Sequence, residues 1–212
     1  ATEKVTGQAR YTADTEIDRV LWGKSLRSPY AHARIVSIDV SQAEKLPGVH
    51  AVLTGADVRG VRFGRRLRDI PPLAEDVVRF VGERVAAVAA DDSTIAENAC
   101  NLIEVVYEEL PTAFDPESAL RNDAPVLHPD VNSYAGLPRP VDGHLNGFVT
   151  DTWGNGDTEQ GFADADVLIE GTYSTQRVHQ GYMEPHGCLV WIDNSNRVNV
   201  WAANKSPHRL KN

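Results

Sequence analysis

Segments with strand character and segments with helix character alternate between residues 20 and 110, and this alternation limits the possible folds more than any other feature of the sequence. The clearest unit starts with an apolar run at residues 84–90. Asp92 and Ser93 then offer N-caps, and an apolar helical face follows at Ile95, Ala99, Leu102 and Ile103. Residues 104–110 have strand character, and Pro111 ends them. The pattern predicts a domain of mixed strands and short helices.

The preceding residues repeat this alternation. Two strands are predicted at 20–26 and 33–40, and the second alternates Val36, Ile38 and Val40 on one face. A capping-box pattern at residues 41–44 predicts a short helix. A third strand is predicted at 49–53, and a hairpin is predicted to join 77–81 to 84–90 around Gly82 and Glu83.

The composition and periodicity of the sequence change after residue 112. Proline and glycine punctuate residues 113–160 without sustained periodicity, which predicts a long connector that wraps over a surface. A short helix is predicted after Gly154–Gly161, a long strand at 165–177, and a hairpin from 187–192 and 197–201. The predicted class is α+β.

Composition limits the classes of partner and the cellular location expected for the chain. The net charge of −9 argues against nucleic acid as the main partner. The most basic stretch, residues 59–68, is interpreted as a solvated loop, with an anionic cofactor or an acidic partner surface as alternatives. Cys100 and Cys188 are predicted to be buried free thiols, which favours a reducing, cytoplasmic location. No apolar run reaches transmembrane length. The missing initiating Met and the helix-like end at 206–212 favour a fragment or a processed chain.

Few residues suggest chemistry when each is taken alone. His179, Glu184 and His186 could bind zinc or iron, but no helical zinc motif is present, so a polar inter-strand network is the favoured interpretation. Glu83 could act as a general base, or it could be a turn carboxylate in water. No complete catalytic set emerges from the residues.

Three segments together carry a resemblance. They are residues 5–49, with Thr6-Gly7-Gln8-Ala9-Arg10-Tyr11 and Leu46-Pro47-Gly48-Val49; residues 81–111, with Val81-Gly82-Glu83-Arg84-Val85; and residues 179–187, His179-Gln180-Gly181-Tyr182-Met183-Glu184-Pro185-His186-Gly187. In this order and spacing the chain resembles the molybdenum-binding large subunit of the xanthine dehydrogenase and aldehyde oxidase family, especially its bacterial members.

The resemblance implies an α/β hammerhead domain over residues 1–112, a connector over 113–156 and the start of a molybdenum cofactor-binding domain over 157–212. It implies a parent enzyme that hydroxylates an aldehyde or an N-heterocycle with oxygen from water. The cofactor would be molybdopterin, with iron–sulfur clusters and FAD on partner domains or subunits. The family's catalytic Glu lies outside the sequence, so no catalytic residue and no bound metal are expected in this chain alone.

One position near the cofactor falls inside the sequence. Relatives carry a Gln where this chain has Lys205, which would replace an amide that both donates and accepts by a cation that only donates. Three hypotheses follow: an N-terminal part of a molybdenum hydroxylase, inactive in isolation; a non-catalytic assembly subunit of a split enzyme; and a metal-dependent hydrolase using His179, Glu184 and His186.

Overall fold

The computed structural model describes residues 2–15, 17–184, 186–206, 208 and 210. The chain divides into two compact units. One comprises Arg19–Gly154, and the other comprises Ala1–Asp18 with Asn155–Asn212. The predicted helical turn at 206–212 falls largely outside the described residues.

The described residues form short helices and antiparallel strands, which confirms the predicted α+β class. The strands are β1 (Trp22–Arg27), β2 (Ala33–Asp39), β3 (Val49–Thr54), β4 (Val77–Val78), β5 (Arg84–Ala90), β6 (Glu104–Glu109), β7 (Cys188–Ile192) and β8 (Val198–Ala202). The helices are α1 (Thr2–Val5), α2 (Ser41–Glu44), α3 (Ser93–Asn101), α4 (Pro116–Ala119) and α5 (Thr158–Ala163). Single 3₁₀ turns occur at Thr12–Asp14 and Val131–Ser133.

Two three-stranded antiparallel sheets build the unit of residues 19–154. Their strand orders are β1-β5-β3 and β4-β2-β6. Strand β5 is central because its alternate residues face two different cores. Ala86, Val88 and Ala90 pack with α3 in the larger core, whereas Val85 joins Ala33, Ala74 and Val78 in the smaller core. Small side chains on β5 therefore let helix and sheets approach closely.

Helix α3 forms where its cap predicts. The Asp92 carboxylate accepts a hydrogen bond from the Ile95 amide at 2.8 Å, which satisfies one of the free N–H groups of the first turn. Ala96, Ala99 and Cys100 are buried, as is Ile103 just after the helix. Leu102 is 40% exposed, so the predicted apolar face is rotated towards Cys100.

Two strand predictions in the unit of residues 19–154 need correction. The pairing of β2 with β6 shifts between Ile35 and Ser37, and this bulge turns Val36 to the solvent instead of the core. The predicted hairpin at Gly82 does not form, because β4 pairs with β2 and β5 pairs with β1 and β3. The sequence shows strand character at both places, but not the partner that each strand takes.

Within the predicted connector, segments that are distant in the sequence contact one another. Asn146 holds three of its segments together, because its side chain accepts from the Leu127 amide and donates to the Ala119 and Pro125 carbonyls, each at 2.9 Å. His128 is packed edge-on between Tyr134 and Phe148, with ring centroids 5.7 Å from each. Burial lowers the pKa of His128, and the positive charge of Arg79 adds to this effect.

In the second unit, the helix predicted to follow Gly154–Gly161 begins earlier, within that stretch, as α5. The Asp157 carboxylate caps it by accepting from the Gln160 amide at 3.0 Å. The strand predicted at 165–177 is absent, and those residues are exposed coil. The hairpin of β7 and β8 forms as predicted. Cys188 is exposed at its start, contrary to prediction, since most residues of the hairpin are themselves exposed. None of the described helices has the length and apolar character needed to cross a membrane.

Candidate functional site

A cavity of about 700 Å³ lies within the unit of residues 1–18 and 155–212. The N-terminal segment contributes one wall, and the β7–β8 hairpin with Glu184 contributes the other. The lining residues are Arg10, Tyr11, Thr12, Thr15, Glu184, Trp201 and Ala202. A cavity of this size is in the range of small-molecule sites. It brings one guanidinium, three hydroxyls, one carboxylate and one indole to a common space.

The N-terminal wall is shaped by the 3₁₀ turn at Thr12–Asp14. The Asp14 carboxylate accepts from the Tyr11 amide at 2.9 Å, and the Arg10 guanidinium donates to the Asp14 carbonyl at 3.3 Å. These two bonds fix the backbone from Arg10 to Asp14 and direct Arg10 along the turn. Local sequence patterns do not indicate this wall, because the proximity of Thr12 to the hairpin is a long-range contact.

The opposite wall depends on the register of the hairpin. Leu189 pairs with Trp201 and Cys188 pairs with Ala202. The turn is held by Asp193, which accepts from the Ser195 amide at 2.9 Å and the Arg197 amide at 3.0 Å. The hydrogen bond from Arg197 is the main reason why the pKa of Asp193 is lowered. A tight turn thus sets the register that brings Trp201 and Ala202 to the cavity.

Lys205 follows the end of β8 by three residues and is exposed. The neighbouring Ser206 amide donates to the Asn204 side chain at 2.6 Å, which bends the chain just after the strand. Lys205 is not among the residues that line the cavity. Lys205 therefore follows the Trp201–Ala202 wall closely in the sequence only. Its predicted position near the cofactor stays a prediction.

His179, Glu184 and His186 do not form a metal site. The Tyr182 ring lies beside both histidines, with ring centroids 5.3 Å from His179 and 4.8 Å from His186. His179 Nδ1 accepts from the Gly181 amide at 2.9 Å, and the Tyr182 hydroxyl is hydrogen-bonded to the His186 ring. Across the described residues, no three His, Cys, Asp or Glu side chains are arranged to hold a metal ion. The metal-dependent hydrolase hypothesis therefore lacks its ligand set.

Glu83 is a buried structural carboxylate, neither a base in a cleft nor a carboxylate in water. Its side chain accepts from the Arg79 amide at 2.5 Å, and its backbone is bonded to Ser28 at 2.8 Å. Only 8% of the residue is exposed. Burial raises the pKa of Glu83, and the hydrogen bond from Arg79 opposes the rise. Glu83 closes the turn that leads into β5.

The described residues of the cavity do not by themselves suit the molybdopterin that the resemblance implies. A phosphate-bearing pterin needs several donors and positive charge, as anion sites in proteins generally do. Arg10 is the one cation among the described residues that line the cavity, and Glu184 supplies an opposing negative charge to the same cavity. This set can form one side of a cofactor site but not an enclosed one.

Comparison with known proteins identifies the two parts of the chain. Residues 6–111 match the aldehyde oxidase and xanthine dehydrogenase a/b hammerhead domain, and residues 142–212 match the molybdopterin cofactor-binding domain. The chain is 41% identical over 97% of its length to a probable xanthine dehydrogenase subunit of Bacillus subtilis. It is 35% identical, again over 97% of its length, to the nicotinate dehydrogenase large molybdopterin subunit of Eubacterium barkeri.

Two solved structures are similar to the chain over nearly its whole length. The Cu,Mo-CO dehydrogenase crystal structure in its carbon monoxide-reduced state matches 99% of the chain with a TM-score of 0.87 at 33% identity. Quinoline 2-oxidoreductase from Pseudomonas putida 86 matches 96% with a TM-score of 0.77 at 36% identity. The chain spans 26% and 45% of the two relatives' lengths, and 27% and 26% of the two structures' chains. The chain belongs to the aldehyde oxidase and xanthine dehydrogenase family of molybdenum-binding large subunits.

Proposed function

We propose that this chain acts as the N-terminal part of the large subunit of a molybdenum hydroxylase. The parent enzyme would oxidise an aldehyde or an N-heterocycle with oxygen from water. The supporting observation is the ordered pair of domain matches, hammerhead at 6–111 followed by molybdopterin cofactor-binding domain at 142–212. The relatives named for nicotinate and xanthine dehydrogenases support an N-heterocycle as the first substrate class to test.

The chain alone is proposed to be inactive. The cavity has one cation and one carboxylate and is bounded partly by exposed coil, so it cannot by itself orient a phosphate-bearing cofactor. When bound in the longer polypeptide, molybdopterin would supply the oxidation–reduction chemistry. This chain's residues would supply one wall of the site and the hammerhead domain beside it. The domain limits 1–112, 113–156 and 157–212 are part of the proposal.

Partners and location are also proposed. Relatives named as large subunits or large chains support an assembly with further subunits, which would carry iron–sulfur clusters and FAD. The described cysteines form no disulfide, and a reducing compartment such as the cytoplasm is proposed on that basis.

Lys205 is the proposed residue of this chain closest to the cofactor. Its ammonium group donates hydrogen bonds and holds a positive charge, and it accepts none. The Lys205→Gln variant of the full-length subunit restores an amide at this position, and Lys4→Gln removes an exposed cation from the same unit as a control. A change in molybdenum content or in turnover for Lys205→Gln alone supports the role. Identical content and turnover in both variants would contradict it.

The test of the overall function is an oxidation assay with the full-length subunit and its partner subunits. Aldehydes and N-heterocycles would be offered with an artificial electron acceptor in isotopically labelled water. The proposal expects a hydroxylated product whose new oxygen carries the label, and no activity from the 212-residue chain. A product oxygen derived from dioxygen, or an active isolated chain, would contradict the proposal.

A further inference from the structure

Residues 63–70 form a hairpin-like loop in the unit of residues 19–154, here called the arginine loop. Phe63 and Ile70 close it with two backbone hydrogen bonds of 2.9 and 3.1 Å. Between them the loop exposes Arg65, Arg66 and Arg68. The loop thus places three guanidinium groups within eight residues on the surface of a chain whose net charge is −9.

These three arginines differ from their neighbours in the same basic stretch. Arg59 forms two hydrogen bonds with Asp76 at 3.0 and 3.2 Å, and Arg62 is paired with Glu75. Within residues 19–154, the side chains of the three loop arginines form no hydrogen bond and no ion pair. The fold of residues 19–154 therefore makes no use of their charge.

The backbone of the arginine loop is fixed. The Arg68 amide donates to the Ala135 carbonyl at 2.8 Å, which fastens the loop to the connector. A Cβ atom at Gly136 would lie 1.9 Å from the Arg66 carbonyl oxygen, and one at Gly64 would lie 1.9 Å from the Leu67 carbonyl oxygen. Only glycine permits these close approaches. A fixed loop loses little backbone freedom when it binds a partner, which favours recognition.

Apolar side chains flank the arginines. Val61, Phe63 and Ile70 are 53%, 44% and 42% exposed. Arginine and aromatic residues are enriched in protein interfaces, where a partly apolar centre is combined with charged contacts. Phosphate backbones would use the charges but not the apolar side chains, and the chain's acidic balance opposes nucleic acid.

We propose that the arginine loop, with Val61, Phe63 and Ile70, is the docking surface for an acidic face of a partner subunit in the assembled enzyme. This inference rests on the proposed function, because it requires that the parent has partner subunits. Carboxylates of the partner would pair with the three arginines, and apolar side chains beside those carboxylates would cover Phe63 and Ile70.

The test uses the full-length large subunit produced together with its partner subunits. The triple variant Arg65→Gln/Arg66→Gln/Arg68→Gln removes the loop charges. The control Arg34→Gln/Arg121→Gln/Arg139→Gln removes three exposed arginines that already pair with Glu108, Asp123 and Asp151. Both variants alter the net charge equally. Assembly is measured by native mass spectrometry and by dissociation at about 50 and about 500 mM NaCl, since salt screens exposed charges. Thermal unfolding of both variants verifies folding.

The loop variant is expected to weaken assembly on the order of tenfold or more and to lose most of its salt dependence, whereas the control assembles like the wild type. Equal assembly of the loop variant and the wild type would overturn the inference. Binding to a duplex DNA oligonucleotide is measured for both proteins, and DNA binding by the wild type that the loop variant loses, with unchanged assembly, would overturn the inference in favour of nucleic acid. If the triple variant unfolds, the single variants Arg65→Gln, Arg66→Gln and Arg68→Gln are measured in its place, and assembly of all three equal to that of the wild type overturns the inference. If the wild-type large subunit contains molybdenum but binds no partner subunit, the inference alone is refuted. If it contains no molybdenum and binds no partner subunit, the proposed function is refuted too.

Discussion

Replacing Gly136 by alanine tests whether the arginine loop is held by a close approach of two backbones. Gly136 has a φ of +91°, and an added Cβ would lie 1.9 Å from the Arg66 carbonyl oxygen. Gly143 is the matched control, because its φ is +103° but an added Cβ would meet nothing within 4 Å. Both variants incur the cost of an alanine with positive φ, roughly 1–2 kcal/mol. Only Gly136→Ala must also displace backbone.

The extra free-energy cost of Gly136→Ala follows from the contacts that it disrupts. Moving the loop away breaks the 2.8 Å hydrogen bond from the Arg68 amide to Ala135, which is worth about 1 kcal/mol, and forced overpacking adds about 1 kcal/mol or more. An extra cost of about 2 kcal/mol corresponds to about 30-fold faster opening. Hydrogen exchange of the Arg68 amide is the assay. Gly136→Ala should speed its exchange about 30-fold beyond Gly143→Ala, and equal rates in the two variants would refute the reasoning.

Three further outcomes are expected. Because Cys188 is exposed and Cys100 is buried with a raised pKa, a thiol reagent should label Cys188 quickly and Cys100 only on unfolding; equal labelling would contradict the structure. Since burial raises the pKa of Glu83, the contribution of this residue to stability should fall as pH rises above about 4.3. In urea titrations at increasing pH, the unfolding free energy of the wild type should therefore decrease relative to that of Glu83→Gln. A difference between the two proteins that stays constant with pH would contradict a raised pKa of Glu83. Asp92→Ala should cost about 1 kcal/mol by loss of the cap on the Ile95 amide, and an unchanged urea midpoint would disprove the cap's contribution.

Local patterns predicted the elements of residues 19–110 well. The Asp92 cap and the apolar spacing at Ala99 and Ile103 define α3, and the apolar run ending at Ala90 defines β5. These features depend on neighbouring residues, so a single sequence shows them. The family resemblance was confirmed by the domain matches, and it identified the hammerhead that these elements build.

Long-range features could not be read in the same way. The bulge that exposes Val36 depends on the register with β6, and the separation of β4 from β5 depends on the choice of partner strand. The alternation at residues 165–177 has strand character, but the described structure provides no adjacent strand, and those residues remain exposed coil. The approach of Thr12 to Trp201 joins positions almost two hundred residues apart, for which spacing gives no signal.

The central claim is that this chain forms part of a molybdopterin-containing large subunit. The most direct measurement is the molybdenum and pterin content of the purified full-length subunit, by elemental analysis and by fluorescence after oxidation, beside that of the 212-residue chain. The account predicts equimolar molybdenum and pterin in the full-length subunit and neither in the shorter chain. A full-length subunit without molybdenum and pterin, prepared from cells that make the cofactor, would contradict the claim.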